Sequence, residues 1–312
     1  MAIDASKAEW IWKNGDFVPW AEANVHILST AVQFGSSVFE GIRCYDTPRG
    51  PAIFRLPEHL RRLMDSCRIY RMDPGYSEAD LTEACRGVVA RNDLNACYVR
   101  PMVLRGYGAD LGMAAVDNPI ESYVPAWPWG AYLGDDALEL GVDVCVSSWQ
   151  RAAGNTFPGM AKSAGHYNNA QLIKMEAMAN GYVEAIALTP GGVISEGSGQ
   201  NLFAVVDGTI VTPPIEGSNL QGITRASVIQ IADDFNIPVR DCIMPREILY
   251  TAEELFFSGT AAEITPIRSV DKIQVGAGKA GPITRQIQER FLGITSGKLP
   301  DDHGWLTLVE GN

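Results

Sequence analysis

Positive charge is scarce in this chain: 25 Lys plus Arg stand against 37 Asp plus Glu, a formal net charge of -12. The overall field therefore opposes nucleic acid and anionic membrane, and any anionic ligand has to be gripped by local donors. No stretch reaches the ~18 consecutive apolar residues of a membrane span. The first residues, MAIDASKAEWIWKNG, lack the basic segment, apolar run and small-residue cleavage site of a secretory signal. A cytoplasmic protein with no nucleic-acid and no membrane partner is expected. The six cysteines (Cys44, Cys67, Cys85, Cys97, Cys145 and Cys242) are scattered, with no Cys-x-x-Cys and no Cys/His spacing for zinc, so they read as reduced core thiols. The four histidines, His26, His59, His166 and His303, make no His-x-x-x-His pair. No metal site is expected.

What is present is an ordinary globular composition, 46% hydrophobic and 20% charged over 312 residues, long enough for two domains. Asn14-Gly15 between Trp10-Ile11-Trp12 and Phe17-Val18 predicts a hairpin, because both turn residues accept positive φ. Pro57 opens a helix with Leu60, Leu63, Met64 and Cys67 on one stripe. Ser77 and Asp80 cap a second helix carrying Leu81, Ala84, Cys85, Val88 and Val89. A single β-like run, Ala96 to Leu104, follows. The aromatic, Pro-rich and charge-poor segment Tyr123 to Gly134 reads as a linker. The expected division is a small N-terminal α+β domain, 1–128, an interdomain loop, 129–137, and a larger β-rich domain, 138–312. In the latter, Val142, Val144 and Val146 alternate as a half-buried strand, Asp207-Gly208 turns a hairpin, and helices are predicted near 168–180, 224–235 and 282–293. There is no internal repeat.

Gly276-Ala277-Gly278-Lys279-Ala280-Gly281 matches the Gly-x-Gly-x-x-Gly spacing of a dinucleotide site. Only 31 residues follow it, too few for the rest of a dinucleotide-binding half, and it reads as a glycine-rich loop. Lysine is more informative. Of the seven, six sit in polar surroundings, whereas Lys162 lies among small residues in Gly159 to Gly165. There a desolvated amine is easier to deprotonate, as imine chemistry requires. A lone lysine is usually a solvated surface group, so the weight lies in what accompanies it. Tyr167 follows by five residues. Glu196 is flanked by small residues in Ser195 to Asn201, which would let a carboxylate approach a pyridine nitrogen. Leu220 to Arg225 precedes a helix, so the amides of Ile223 and Thr224 with the Thr224 hydroxyl read as a phosphate seat or as an ordinary Thr cap. Ser258 to Ala262 reads as a further donor turn or as a tight turn.

Taken with Phe39 to Arg43, Glu58 to Leu63, Tyr98 to Pro101 and Gly259 to Pro266, these segments resemble the fold-type IV aminotransferases that use pyridoxal 5′-phosphate, and within them the bacterial branched-chain amino acid aminotransferases. The resemblance runs from about Trp10 to Leu308. It implies a two-domain enzyme with a small α/β N-terminal domain and a larger, β-barrel-like, cofactor-binding C-terminal domain with flanking helices. By position, it implies that Lys162 forms the aldimine and moves the proton, and that Tyr167 meets the cofactor's phenolic oxygen. Glu196 would hold the ring nitrogen protonated, Leu220 would pack under the ring, and Arg62, Ile223, Thr224 and Thr260 would bind the phosphate. The substrate α-carboxylate would meet the Thr260 and Ala261 amides with Tyr98. Phe39 and Tyr132 would bound an apolar side-chain pocket, Arg100 would fold in on the distal carboxylate of glutamate, and Arg43 would stand near the pocket mouth.

The implied reaction is amino transfer between L-leucine, L-isoleucine or L-valine and 2-oxoglutarate. A D-amino acid aminotransferase, an (R)-amine transaminase and an aminodeoxychorismate lyase are alternatives with the same cofactor, and a non-catalytic ligand-binding protein is one of another class. The resemblance further implies a homodimer or an assembly of dimers. Two positions depart from the pattern: Phe34 stands where Tyr is expected, removing a hydroxyl, and His166 stands where Asn is common and reads as a packed or capping imidazole that could alter Lys162.

Overall fold

Asn14 and Gly15 take φ of 48° and 100° and turn Trp10–Lys13 antiparallel onto Asp16–Pro19, as the Asn-Gly signal requires. In the computed structural model, which describes residues 8–130, 133, 136–215 and 218–309, this hairpin edges the five-stranded sheet Asp16–Pro19, Trp10–Lys13, Ile120–Val124, Met102–Arg105, Ser37–Phe39. A second five-stranded sheet runs Leu306–Leu308, Gly50–Phe54, Ile42–Thr47, Cys97–Val99, Ala126–Pro128. The predicted run Ala96 to Leu104 is thus two strands in two sheets. Arg100 still donates its amide to Pro125 O, in register with the pairing of Val99 and Ala126, and Pro101, which has no amide hydrogen, cannot continue the ladder. The aromatic segment is likewise corrected: Tyr123 and Val124 pair in one sheet and Ala126–Pro128 in the other, so a stretch read as linker is partly β. Helices Leu56–Ile69 and Glu78–Arg91 bury Leu60, Leu63, Cys67, Leu81, Ala84, Cys85, Val88 and Val89 in a core shared with both sheets, and Ser77 and Asp80 form the reciprocal capping box. All this belongs to one unit, Met1–Gly130 with Ala161–Gly165 and Ile294–Asn312.

The other unit, Ala131–Met160 and His166–Gly293, carries a nine-stranded sheet in the order Ile194–Gly197, Glu184–Leu188, Val142–Val146, Glu263–Val270, Glu254–Gly259, Asn201–Val206, Thr209–Thr212, Val239–Asp241, with Ile273–Gln274 paired to Glu263–Val270. It curls into a half-barrel. Val142–Val146 is more buried than its alternation predicts. Val142 and Val144 join the main core, but Cys145 is also covered, packing with Ile173 and Ala177 of the helix Ala164–Ala179. The helices Ile223–Asp234 and Pro282–Thr295 lie near their predicted places. Among the described residues no helix is long and apolar enough to cross a membrane. Five cysteines are buried, and burial pushes the Cys67 thiol up to about 12, which suits inert core thiols.

The glycine-rich loop 276–281 serves packing. At the start of the helix Pro282–Thr295, the Glu254 carboxylate accepts from the Ile283 and Thr284 amides, at 3.1 and 2.7 Å, so the donors that a pyrophosphate would need are engaged. A Cβ at Gly281 would stand 2.1 Å from Glu254 Cδ. Gly281→Ala is expected to displace that carboxylate and cost about 1–3 kcal/mol, read as a lower denaturant midpoint.

Candidate functional site

The residues singled out from sequence fall into two groups, one on each unit, and each group is organised around a carboxylate. In the first unit it is Glu40, fully buried and held in place by its amide donating to Pro101 O. Arg62 grips it with a fork, Nε to Oε1 and Nη2 to Oε2, both at 2.7 Å, and His59 Nδ1 lies 2.6 Å from Oε2. Arg62 and His59 come from one face of the helix Leu56–Ile69. Burial works to raise the Glu40 pKa, but the nearby Arg62 and His59 outweigh it and hold the carboxyl well below its usual range. For His59 burial dominates and lowers its pKa, against the pull of Glu40, so the imidazole is neutral. Sequence motifs contained Glu40, but nothing in their spacing marked it as the partner of Arg62.

The same helix fixes the lysine. Ser66, one turn beyond Arg62, donates Oγ to Arg62 O and accepts from the Lys162 amide at 3.0 Å. Lys162 O accepts from the Phe39 amide, Val38 and Ser163 form an antiparallel bridge, and Ser163 Oγ lies 2.9 Å from Tyr70 OH. With its main chain tied on both sides, Lys162 extends its amine over the Phe39 ring, 5.2 Å from the centroid.

Across the second sheet, Arg43, Tyr98 and Trp127 stand in register on adjacent strands and therefore on one face. Tyr98 OH approaches the main chain so closely that a Cβ at Gly41 would sit 1.9 Å from it, which explains the glycine in Phe39 to Arg43. Arg100 lies against three rings, Phe39, Tyr98 and Trp127, at 4.8, 5.2 and 5.7 Å. Its Nε is buried without a partner. Arg43 stacks on Tyr45. Phe34 is 49% exposed on the short helix Thr30–Phe34. Tyr132 lies outside the described residues.

In the second unit the carboxylate is Glu196, 3% exposed on the strand Ile194–Gly197. Arg151 makes a short ion pair with Oε1, while Asn201 Nδ2 and the Leu220 amide donate to Oε2, both at 3.2 Å. Asn201 also donates to Leu220 O at 2.9 Å, binding the carboxylate strand to the turn before the helix. That helix, Ile223–Asp234, has Gly222 as its N-cap and no side-chain cap. The Thr-cap alternative therefore fails, since Thr224 lies inside the first turn, buried beside Ile223. A Cβ at Gly222 would meet Asn201 Oδ1 at 1.9 Å, so the glycine permits the close approach. Register pairs Asn201 with Ser258, whose buried hydroxyl has no partner, just before the half-buried turn of Thr260 and Ala261. Tyr167 is half-buried in the first turn of Ala164–Ala179. Beside it, His166 Nε2 lies 3.1 Å from Pro158 O and its ring packs on Phe157. Burial, then the nearby Arg151, lowers its pKa; since a carbonyl only accepts, Nε2 is the donor, and of the packed or capping imidazole expected the packed form is seen. Sequence reasoning missed Arg151 and Ser66, which carry no motif.

The model of the amino-transferase class IV family matches residues 37–270. The branched-chain-amino-acid aminotransferase of Escherichia coli K12 is 51% identical over 312 residues, covering 98% of this chain and 99% of that protein. A crystal structure of the Escherichia coli branched-chain amino acid aminotransferase superposes with a TM-score of 0.93 at 50% identity, covering 97% of this chain and 100% of that one. The branched-chain amino acid aminotransferase from Thermobaculum terrenum, in its PLP form, does so at 0.90 and 33% identity, covering 97% and 99%. With the two carboxylate-centred groups, the pinned lysine and this likeness along almost the whole chain, the protein belongs to the class IV aminotransferases.

Proposed function

We propose that this protein exchanges amino groups between branched-chain L-amino acids and 2-oxoglutarate, with pyridoxal 5′-phosphate as cofactor. The observation that carries the substrate reading is the setting of Arg100: a guanidinium walled by Phe39, Tyr98 and Trp127. An apolar, aromatic wall accepts a leucine, isoleucine or valine side chain by burial. The same wall contains one cation whose Nε lacks a partner, available to the distal carboxylate of glutamate. Arg43, on the same sheet face as Tyr98, would stand at the mouth of that pocket.

The donor sets fit the cofactor. A dianionic phosphate suits the Arg62 guanidinium, already oriented by Glu40, with Thr260 and the Ile223 and Thr224 amides at a helix start whose N-cap is Gly222. The buried Glu196 carboxylate, paired with Arg151, suits a protonated ring nitrogen, Tyr167 the phenolic oxygen, and Leu220 the ring face. When bound, pyridoxal phosphate supplies an aldehyde that takes up the amino group and a ring that stores the electron pair released at Cα. Lys162 would bind the cofactor and, once displaced by substrate, would carry the proton between Cα and the cofactor's C4′. Thr260 and Ala261 amides with Tyr98 orient the α-carboxylate. Half-reactions followed spectrally with L-leucine, D-alanine and an (R)-arylamine are expected to show conversion with L-leucine. Preference for either other donor would overturn the substrate reading, and cofactor binding with no conversion of any would overturn the enzyme reading.

The proposal includes a homodimer. Ile27, Val32, Phe34, Tyr107, Leu111 and Met113 are exposed on two segments joined by the Thr30 amide to Gly106 O and by stacking of His26 on Tyr107. An apolar patch of this kind supports association. Light scattering is expected to give at least a dimer, and a monomer at working concentration would refute it.

A further inference from the structure

We infer that Arg151 is a positioning residue for the reaction, acting through Glu196 to keep that carboxylate ionised and aimed at the cofactor's ring nitrogen. This rests on the assignment of Glu196 to the ring nitrogen. The two oxygens of Glu196 are used differently. Oε2 accepts from neutral donors, Asn201 Nδ2 and the Leu220 amide, whereas Oε1 is paired with the Arg151 guanidinium. The Arg151 guanidinium is ion-paired with this carboxylate, and both side chains are nearly buried, 11% and 4% exposed. Burial of a carboxylate without a counter-charge favours its neutral form, and a neutral acid cannot retain a ring proton as an ion pair. The guanidinium also repels a protonated ring. That repulsion is weaker than the attraction, since each cation lies one hydrogen bond from the carboxylate and farther from the other cation.

Arg151 is itself fixed. Its amide donates to Leu188 O at 2.9 Å, adjacent to Ala187, the register partner of Glu196, so the main chains that carry the pair are hydrogen-bonded across one sheet edge. Its Nη1 is buried without a hydrogen-bond partner. Burial, then the nearby Arg151, lowers the pKa of His166, the nearby titratable group.

The test loads the protein with pyridoxal phosphate labelled with 15N in the ring. In Arg151→Met the ring 15N resonance is expected to move downfield, toward that of neutral pyridine. The kcat for L-leucine should fall on the order of 10- to 100-fold, as for loss of an outer-shell partner, with KM unchanged because Arg151 meets no substrate. Arg151→Lys keeps the charge and loses the fork, and should show a smaller shift in the same direction. It also supplies the answer should the Met variant fail to fold. A wild-type 15N shift and kcat in the folded variant would overturn the inference. Glu196→Gln is measured in parallel: if it too leaves the resonance unmoved, the assignment of Glu196 is what fails, and if it alone moves the resonance, only the role of Arg151 does.

Discussion

Lys162→Ala is expected to lower transamination of L-leucine by more than about 10⁴-fold, because one amine is asked both to bond the cofactor and to move the Cα proton, and proton transfer by a positioned group alone contributes roughly 10²–10⁴. The fold should survive. Lys162 is half-exposed, and the bonds that fix its segment are made by main-chain atoms, its amide on Ser66 and its carbonyl on the Phe39 amide, which alanine retains. Borohydride treatment of the wild-type protein with bound cofactor should fix one cofactor mass onto the peptide that contains Lys162, and the variant should take up none. Equal turnover by the two proteins, or labelling at another lysine, would refute the assignment.

Replacement of Glu40 is expected to have the second largest effect, on stability and on the cofactor together. Removing one partner of a buried ion pair costs about 3–5 kcal/mol, because the other is left without its counter-charge. Here Arg62 is 12% and His59 1% exposed. Glu40→Gln keeps the volume and should lower the denaturant midpoint at pH 7, and cofactor dissociation should quicken as the Arg62 fork loses its anchor. The difference from wild type depends on pH. The folded Glu40 pKa lies below its unfolded value, so its contribution is complete above the unfolded value of ~4.3 and declines as pH falls through that value toward the folded one. The gap between the two proteins should narrow there. The lowered His59 pKa acts at higher pH: the unfolded chain takes up that proton first, so wild type should lose stability as pH falls below ~6.5. A midpoint gap that stays constant from pH 7 to pH 3 would contradict the Glu40 account.

The elements legible in sequence were those set by local rules. Asn14-Gly15, Asp207-Gly208 and Ser77 with Asp80 state their turns and cap within four residues, and the structure has each. Candidate residues for the chemistry could be named where a motif or the family resemblance contained them, as with Lys162, Glu196 and Arg62. The short strands around Arg100-Pro101 and Pro125 were not, because two-sheet pairing is chosen by partners more than twenty residues away. Gly276 to Gly281 misled for the converse reason. Its spacing fits a phosphate loop, but the helix start beyond it is occupied by Glu254 from a strand the motif does not include.

By itself, then, the sequence determined the residue types available for imine and phosphate chemistry, the net negative charge, and the hairpins and helices that short-range sterics and capping dictate. Only the tertiary structure decided that Glu40 binds Arg62, that Arg151 binds Glu196, and that residues 161–165 belong with the first unit. The partners in these pairs are 22 and 45 residues apart. No periodicity spans such distances. What selects them is the cost of burying a charge without its opposite, and that cost exists only once the chain has closed around both.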